Sequence, residues 1–124
     1  KYTEGEMHRM LSGRGGLVAY TGSNDMRDLL KAAAEGDKEI AATVDAFHYQ
    51  IGKEVGAMAA VMKGKVDQII LTGGIAYGQE TVDAITDMVG WIAPITVYPG
   101  EDELLALAQG ALRVLNGEEP ARVY

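Results

Sequence analysis

Leu71-Thr72-Gly73-Gly74-Ile75-Ala76-Tyr77-Gly78 lies between an apolar run and a helical pattern, and marks where strand gives way to helix. Paired glycines at a strand end let the chain turn sharply, take positive φ and bring bare main chain against a flat or anionic group. The helix amino terminus beyond them favours negative charge. Upstream, Val66 to Leu71 predicts a buried strand whose Ile69-Ile70-Leu71 is continuously apolar. Downstream, Val82, Ile85, Met88 and Val89 recur at helical spacing from Gln79 to about Gly90. Pro94 then opens a short strand, Ile95 to Tyr98, and Pro99-Gly100 turns out of it.

Further outward, Asp37 starts the longest predicted helix: Ile40, Val44, Phe47, Ile51, Val55, Met58 and Met62 recur three and four apart as far as Gly64. Gly52, Gly56 and Ala60 form a second stripe on it, where small side chains permit a close neighbour or a contact between copies of the protein. Glu101-Asp102-Glu103 fills the first turn of a last helix with Leu104, Ala108, Ala111 and Leu115 on one face, closed by Asn116-Gly117. Helix, strand, helix, strand, helix is the order of an α/β layer with neighbouring parallel strands. Ligands in such sheets gather at the carboxyl ends of strands, so Gly73-Gly74 and Pro99-Gly100 are expected at one crevice.

The amino-terminal third is less regular. Tyr2 to Leu11 predicts a short helix beginning near Thr3, broken by Ser12-Gly13-Arg14-Gly15-Gly16. Leu17-Val18-Ala19-Tyr20 reads as a short strand. Thr21-Gly22-Ser23-Asn24 then makes a turn, with Ser23 or Asn24 as the cap of a helix that Gly36 stops.

The bulk properties narrow the function. The 124 residues, 48% apolar, suit one domain spanning 1–124 with a modest core. The absence of cysteine removes disulfides and thiolate metal sites, and without a leader or a long apolar span a cytoplasmic address is expected, away from any membrane. A net charge of −7 opposes binding to nucleic acid. Lys1 at the start raises the possibility of a fragment.

Several local patterns compete. Gly73 and Gly78 have the glycine spacing of a P-loop, but Gln79-Glu80 stands where Lys and Ser or Thr are required, and no G-x-G-x-x-G follows a strand. Spacing alone leaves the glycine pair equally a tight turn or a ligand site. Asp25-Met26-Arg27 is a solvated helix cap or a guanidinium able to stack on a purine. Glu101-Asp102-Glu103 is dipole compensation or a source of Mg²⁺ ligands. His8 and His48 lack paired ligand spacing, and His48 beside Phe47 suits a packed histidine. No Ser-His-Asp arrangement is supported.

The segments Gly15 to Tyr20, Asn24 to Arg27, Gln50 to Val61, Leu71 to Tyr77 and Tyr98 to Leu104, taken in order, closely resemble the carboxyl-terminal part of the butyrate kinases. With the acetate kinases these form the acetokinase family, within the superfamily of sugar kinases and actin. The resemblance implies an α/β, ribonuclease H-like (actin-like ATPase) carboxyl-terminal domain with parallel strands and flanking helices. It implies two such domains closing over ATP, this chain being most of the second and an amino-terminal domain being absent. Gly73, Gly74, Ile75, Ala76 and Tyr77 match the family's adenosine motif, and Asp25, Met26 and Arg27 match its nucleotide-contacting step. By that match Arg27 lines or stacks on adenine and Asp25 reaches toward ribose. Acetate kinases carry Gly-Ile-Gly-Glu-Asn where Gly74 to Gly78 stand, so the polar contacts of that Glu and Asn do not carry over. Asp102 falls at the position of a Mg²⁺-linked Glu, and Glu103 matches the acid after it.

The implied reaction is transfer of phosphate from ATP to butyrate, or another short-chain carboxylate, in a homo-oligomeric enzyme. The family's phosphate loops and acyl-site groups have no counterpart here, so no catalytic residue is assigned and the isolated chain is expected to be inactive. A nucleotide-binding or oligomerisation module without catalysis is the competing reading.

Overall fold

The computed structural model describes residues 1–122. Its elements run α1 (Glu4–Leu11), α2 (Leu17–Thr21), α3 (Met26–Ala34), α4 (Lys38–Val61), β1 (Ile69–Gly73), a 3₁₀ turn (Gly74–Tyr77), α5 (Gln79–Val89), β2 (Ile95–Pro99) and α6 (Glu103–Leu115). Strands β1 and β2 pair in parallel from Ile69 against Ile95 to Gly73 against Pro99. The architecture is α/β, with parallel strands and flanking helices as expected.

Local chemistry sets most boundaries. Thr3 caps α1 in a reciprocal box with Glu6, and the Asp37 carboxylate accepts the Glu39 and Ile40 N–H groups at the head of α4. Helix α4 ends at Val61 rather than Gly64, because Lys63 and Gly64 both take positive φ and the Gly64 N–H returns to the Ala59 carbonyl. Strand β1 starts three residues later than Val66 and runs two beyond Leu71. Its ladder begins where the Ile69 N–H meets the Pro94 carbonyl, at 2.9 Å.

Leu17 to Tyr20 is helical, which corrects the expected strand. Gly16 enters with φ 57 and Gly22 leaves in the left-handed region, so the segment closes into one turn. Leu17 packs there against the buried Met26, Leu29 and Val44, and tertiary packing overrides the propensity of a short apolar run. The cap of α3 is Asp25 rather than Ser23 or Asn24, and the Ser23 hydroxyl accepts the Asp25 N–H one step earlier.

Two apolar clusters meet on α4. One gathers Met26, Leu29 and Val44 beneath α3, with Leu30, Ile40 and Phe47 beside them. The other gathers Ile69, Ile85, Val89 and Ala93 between the sheet and α5, with Ile51, Val55 and Met88 against it. The small-residue stripe divides in its use. A Cβ on Gly52 would stand 2.6 Å from Met88 Cε, so α5 presses on α4 there, whereas a Cβ on Gly56 would meet nothing within 4 Å. Helix α6 begins at Glu103, later than the expected Glu101, and none of its residues is buried, so its apolar face is uncovered among the described residues. No helix among these residues is long and apolar enough to cross a membrane.

Candidate nucleotide site

The carboxyl ends of β1 and β2 are tied to each other. Past the parallel ladder, the Gly100 N–H donates to the Gly73 carbonyl at 3.0 Å, and the Gly73 N–H donates back at 3.3 Å. Gly73 takes φ 86 and Gly100 φ 95, conformations that side chains seldom adopt, which is the physical demand for glycine at both strand ends. The Tyr77 hydroxyl lies 2.5 Å from where a Cβ on Gly100 would stand. The phenol therefore crosses the second loop against bare backbone, although its ring is mostly exposed.

A cleft of about 520 Å³ opens beside the glycine turn, lined by Met26, Arg27, Leu30, Gly74, Ile75, Tyr77 and Gly78. That volume is in the ordinary range for small-molecule sites. The fold thus brings the helix step at 26–27 onto the glycine loop, about fifty residues away in sequence. The walls touch where Leu30 Cδ1 comes 3.6 Å from the Cβ position of Gly78. Of the expected residues, Met26, Arg27, Gly74, Ile75 and Tyr77 line the cleft, Gly73 sets the turn, and Asp25 and Ala76 are outside the lining. Leu30 was not expected; its signal was its place one turn after Met26 on the same helix.

Asp25 is already engaged. Its carboxylate accepts the Arg27 backbone N–H at 3.0 Å, Arg27 Nε at 3.1 Å and Arg27 Nη2 at 2.7 Å. The Arg27 side-chain donors, then its backbone N–H, pull the Asp25 carboxyl down to about 2, and the paired carboxylate raises the guanidinium. The fork fixes the guanidinium plane at the cleft edge, although Arg27 is 89% exposed.

The acidic step divides as well. Glu101 precedes the helix, and its Oε1 lies 3.7 Å from the Cβ position of Gly73. Asp102 occupies the N-cap of α6 without a side-chain bond, and Glu103 lines a groove along α6 rather than the cleft. No three His, Asp or Glu side chains cluster as a metal cage among the described residues. His48 is packed as expected. Burial holds its imidazole below its usual value, partly countered by Asp45, and its Nε2 pairs with Thr81 Oγ1 at 3.1 Å.

Residues 1–113 match the family model described as the acetokinase family. The chain belongs to the acetokinase family. Over all 124 residues this acetokinase chain is 55% identical to a protein named probable butyrate kinase from Clostridium botulinum and to one named butyrate kinase 2 from Clostridium acetobutylicum. It spans about a third of the length of these curated relatives, 35% of each. Among solved structures it resembles an acetate kinase of Porphyromonas gingivalis with a TM-score of 0.77 at 20% identity, covering 92% of this chain and 35% of that one. A propionate kinase of Francisella tularensis matches with a TM-score of 0.71 at 23% identity, over 84% of this chain and 33% of that one. These likenesses establish the fold of this acetokinase chain as that of the actin-like ATPases.

Proposed function

We propose that this chain is the adenosine-holding, carboxyl-terminal domain of a cytoplasmic butyrate kinase, which converts ATP and butyrate to ADP and butyryl phosphate. The observation that carries the reading is the cleft joining Met26, Arg27 and Leu30 to the Gly74–Gly78 wall. Its chemistry fits an adenosine. Met26, Leu30 and Ile75 offer apolar contact to a flat ring, the guanidinium of Arg27 supplies a charged plane to stack on its face, and the glycine backbone admits ribose closely. Asp25 acts chiefly by holding Arg27, whose backbone N–H and guanidinium already engage both its oxygens.

Phosphoryl transfer needs charge stabilisation around the moving phosphate, and among the described residues Arg27 is the only cation lining this cleft. The phosphate-directed groups and the acyl pocket accordingly belong to the remainder of a longer, two-domain protein. Mg²⁺, when bound with ATP, neutralises charge on the phosphates, and such ions commonly take one or two carboxylates with phosphate oxygens and water. Asp102 and Glu103 are the carboxylates assigned to it by family resemblance, and Glu101 joins them because it faces the Gly73 turn. The open side of α4 at Gly56 and Ala60 is the proposed contact between protomers.

The test is ADP binding to the intact protein by calorimetry, followed by turnover with acetate, propionate, butyrate and isobutyrate. Arg27→Ala is expected to weaken ADP by about tenfold, the scale of a desolvated cation–π contact. Equal affinity would defeat the adenosine site, and preference for an acid other than butyrate would change the substrate. ADP binding with no turnover of any acid would favour a non-catalytic nucleotide module.

A further inference from the structure

Beneath the glycine turn lies a buried polar pair that the cleft lining does not include. His48 is 6% exposed and Thr81 1%. They come from different helices, His48 from the middle of α4 and Thr81 from the first turn of α5. Their bond spans 33 residues of sequence and is the only side-chain hydrogen bond either makes among the described residues.

The position of Thr81 gives this bond its consequence. Thr81 Oγ1 stands 3.7 Å from where a Cβ on Gly78 would be, and Gly78 is both part of the cleft wall and the N-cap of α5. That cap makes no side-chain hydrogen bond. The junction from glycine loop to helix is therefore held locally by main-chain bonds alone, from the Gly78 N–H to the Ile75 carbonyl and from the Val82 N–H to the Gly78 carbonyl, and its nearest buried side-chain anchor is the threonine hydroxyl held by α4. Apolar packing along α4 and α5 tolerates small sliding and rotation, whereas a buried bond between fixed atoms does not.

We propose that His48 is a positioning residue for nucleotide binding: through Thr81 it fixes the first turn of α5, and with it the Gly74–Gly78 wall of the cleft. The proposal rests on the adenosine reading of that cleft. It makes the loop's geometry depend on a side chain that never meets the ligand.

The experiment uses the intact kinase and two pairs of variants, His48→Leu with His48→Gln, and Thr81→Val with Thr81→Ser. Leucine and valine fill the space without the bond, while glutamine and serine can restore it. ADP affinity is read by calorimetry, and loop order by amide hydrogen exchange at residues 74–81. His48→Leu and Thr81→Val are expected to weaken ADP by about tenfold and to speed exchange chiefly at 74–81, since small misplacements of a binding wall are costly. The Gln and Ser variants should stay within about twofold of wild type.

Wild-type affinity and exchange in His48→Leu would overturn the proposal. So would a His48→Gln variant as impaired as His48→Leu, which would make ring volume the cause, or exchange that rises evenly across the protein. Should His48→Leu fail to fold, the Thr81 pair carries the same comparison. A wild-type protein that does not bind ADP would sink the adenosine reading, and exchange at 74–81 would then judge the positioning claim by itself.

Discussion

The two glycines of the turn should respond oppositely to alanine. Gly73 has φ 86 and ψ 178, a backbone state that only glycine adopts readily, and imposing it on another residue costs about 1–3 kcal/mol. Its new methyl would meet only Glu101 Oε1, at 3.7 Å, an ordinary contact, so the penalty of Gly73→Ala is almost wholly backbone strain. Gly74 is absent from the positive-φ positions and has open space where a Cβ would stand. Alanine there restricts the unfolded chain and should stabilise by about 0.4–1 kcal/mol. The two variants should thus differ in unfolding free energy by about 1.4–4 kcal/mol, measured by urea denaturation of the intact protein. Binding should not follow stability. Gly74 lines the cleft, so its methyl occupies ligand space, and Gly74→Ala should lose about tenfold or more in ADP affinity while holding or gaining stability. Gly73→Ala should lose both, because the turn must shift to relieve the strain. A Gly73→Ala protein as stable as wild type would refute the backbone argument, and a Gly74→Ala protein that binds ADP normally would take the nucleotide away from this wall.

Asp25→Asn keeps a good helix cap but loses the charged fork on Arg27, so calorimetry should show α3-dependent stability unchanged and ADP affinity reduced about two- to fivefold. Because the folded Asp25 carboxyl sits near 2, below its unfolded value, the pair is intact above the ordinary carboxylate range and is lost only as pH falls toward 2; a carboxyl titration by NMR with a midpoint near 4 would contradict it. On α4, Gly56→Ala should raise the thermal midpoint of the dissociated protomer, gaining about 1 kcal/mol of helix propensity where nothing else of the chain lies within 4 Å. Gly52→Ala should not, since the Met88 thioether can swing aside but its Cβ, 3.1 Å from the new methyl, is fixed to α5, and overpacking of about 1–3 kcal/mol matches or exceeds the same propensity gain.

What was legible in the sequence was whatever local chemistry decides. The spacing from Ile40 to Val55, the Thr3 and Asp37 caps, the strand beginning after Pro94 and the turn at Gly73 all follow from periodicity and backbone demand, and the structure has them there. Leu17 to Tyr20 failed because four apolar residues carry no period, and only the neighbouring Met26, Leu29 and Val44 make them a helical turn. Met58 and Met62 continue the apolar stripe of α4 but stand largely exposed, beside a groove along Val55 and Val66, because no described element reaches across to them. For the site, glycine spacing marked a turn and Asp25 marked a cap, but their closeness is a property of the fold. Helix α4 packs on both α3 and α5, and no window of sequence contains that relation.

That shared helix also explains why the cleft is where it is. One wall, carrying Met26 and Leu30, is anchored in the cluster beneath α3, and the other, from Gly74 to Gly78, hangs from the cluster of β1 and α5. Neither cluster alone supplies both walls of this cleft. Their separation is set by contacts on α4, with Val44 and Phe47 toward the first cluster and His48, Gly52 and Val55 toward the second. Residues 44–55 make three turns of one continuous helix, and such a segment is stiff, so a change of packing on either side moves one wall against the other rather than bending the support. Cleft width is therefore governed by small buried groups such as Gly52, whose size sets how near α5 comes, and by the one polar bond that fixes its rotation. Substitutions there should alter nucleotide affinity without touching nucleotide, and those on the exposed outer face of the same turns, Tyr49 and Lys53 among them, should not.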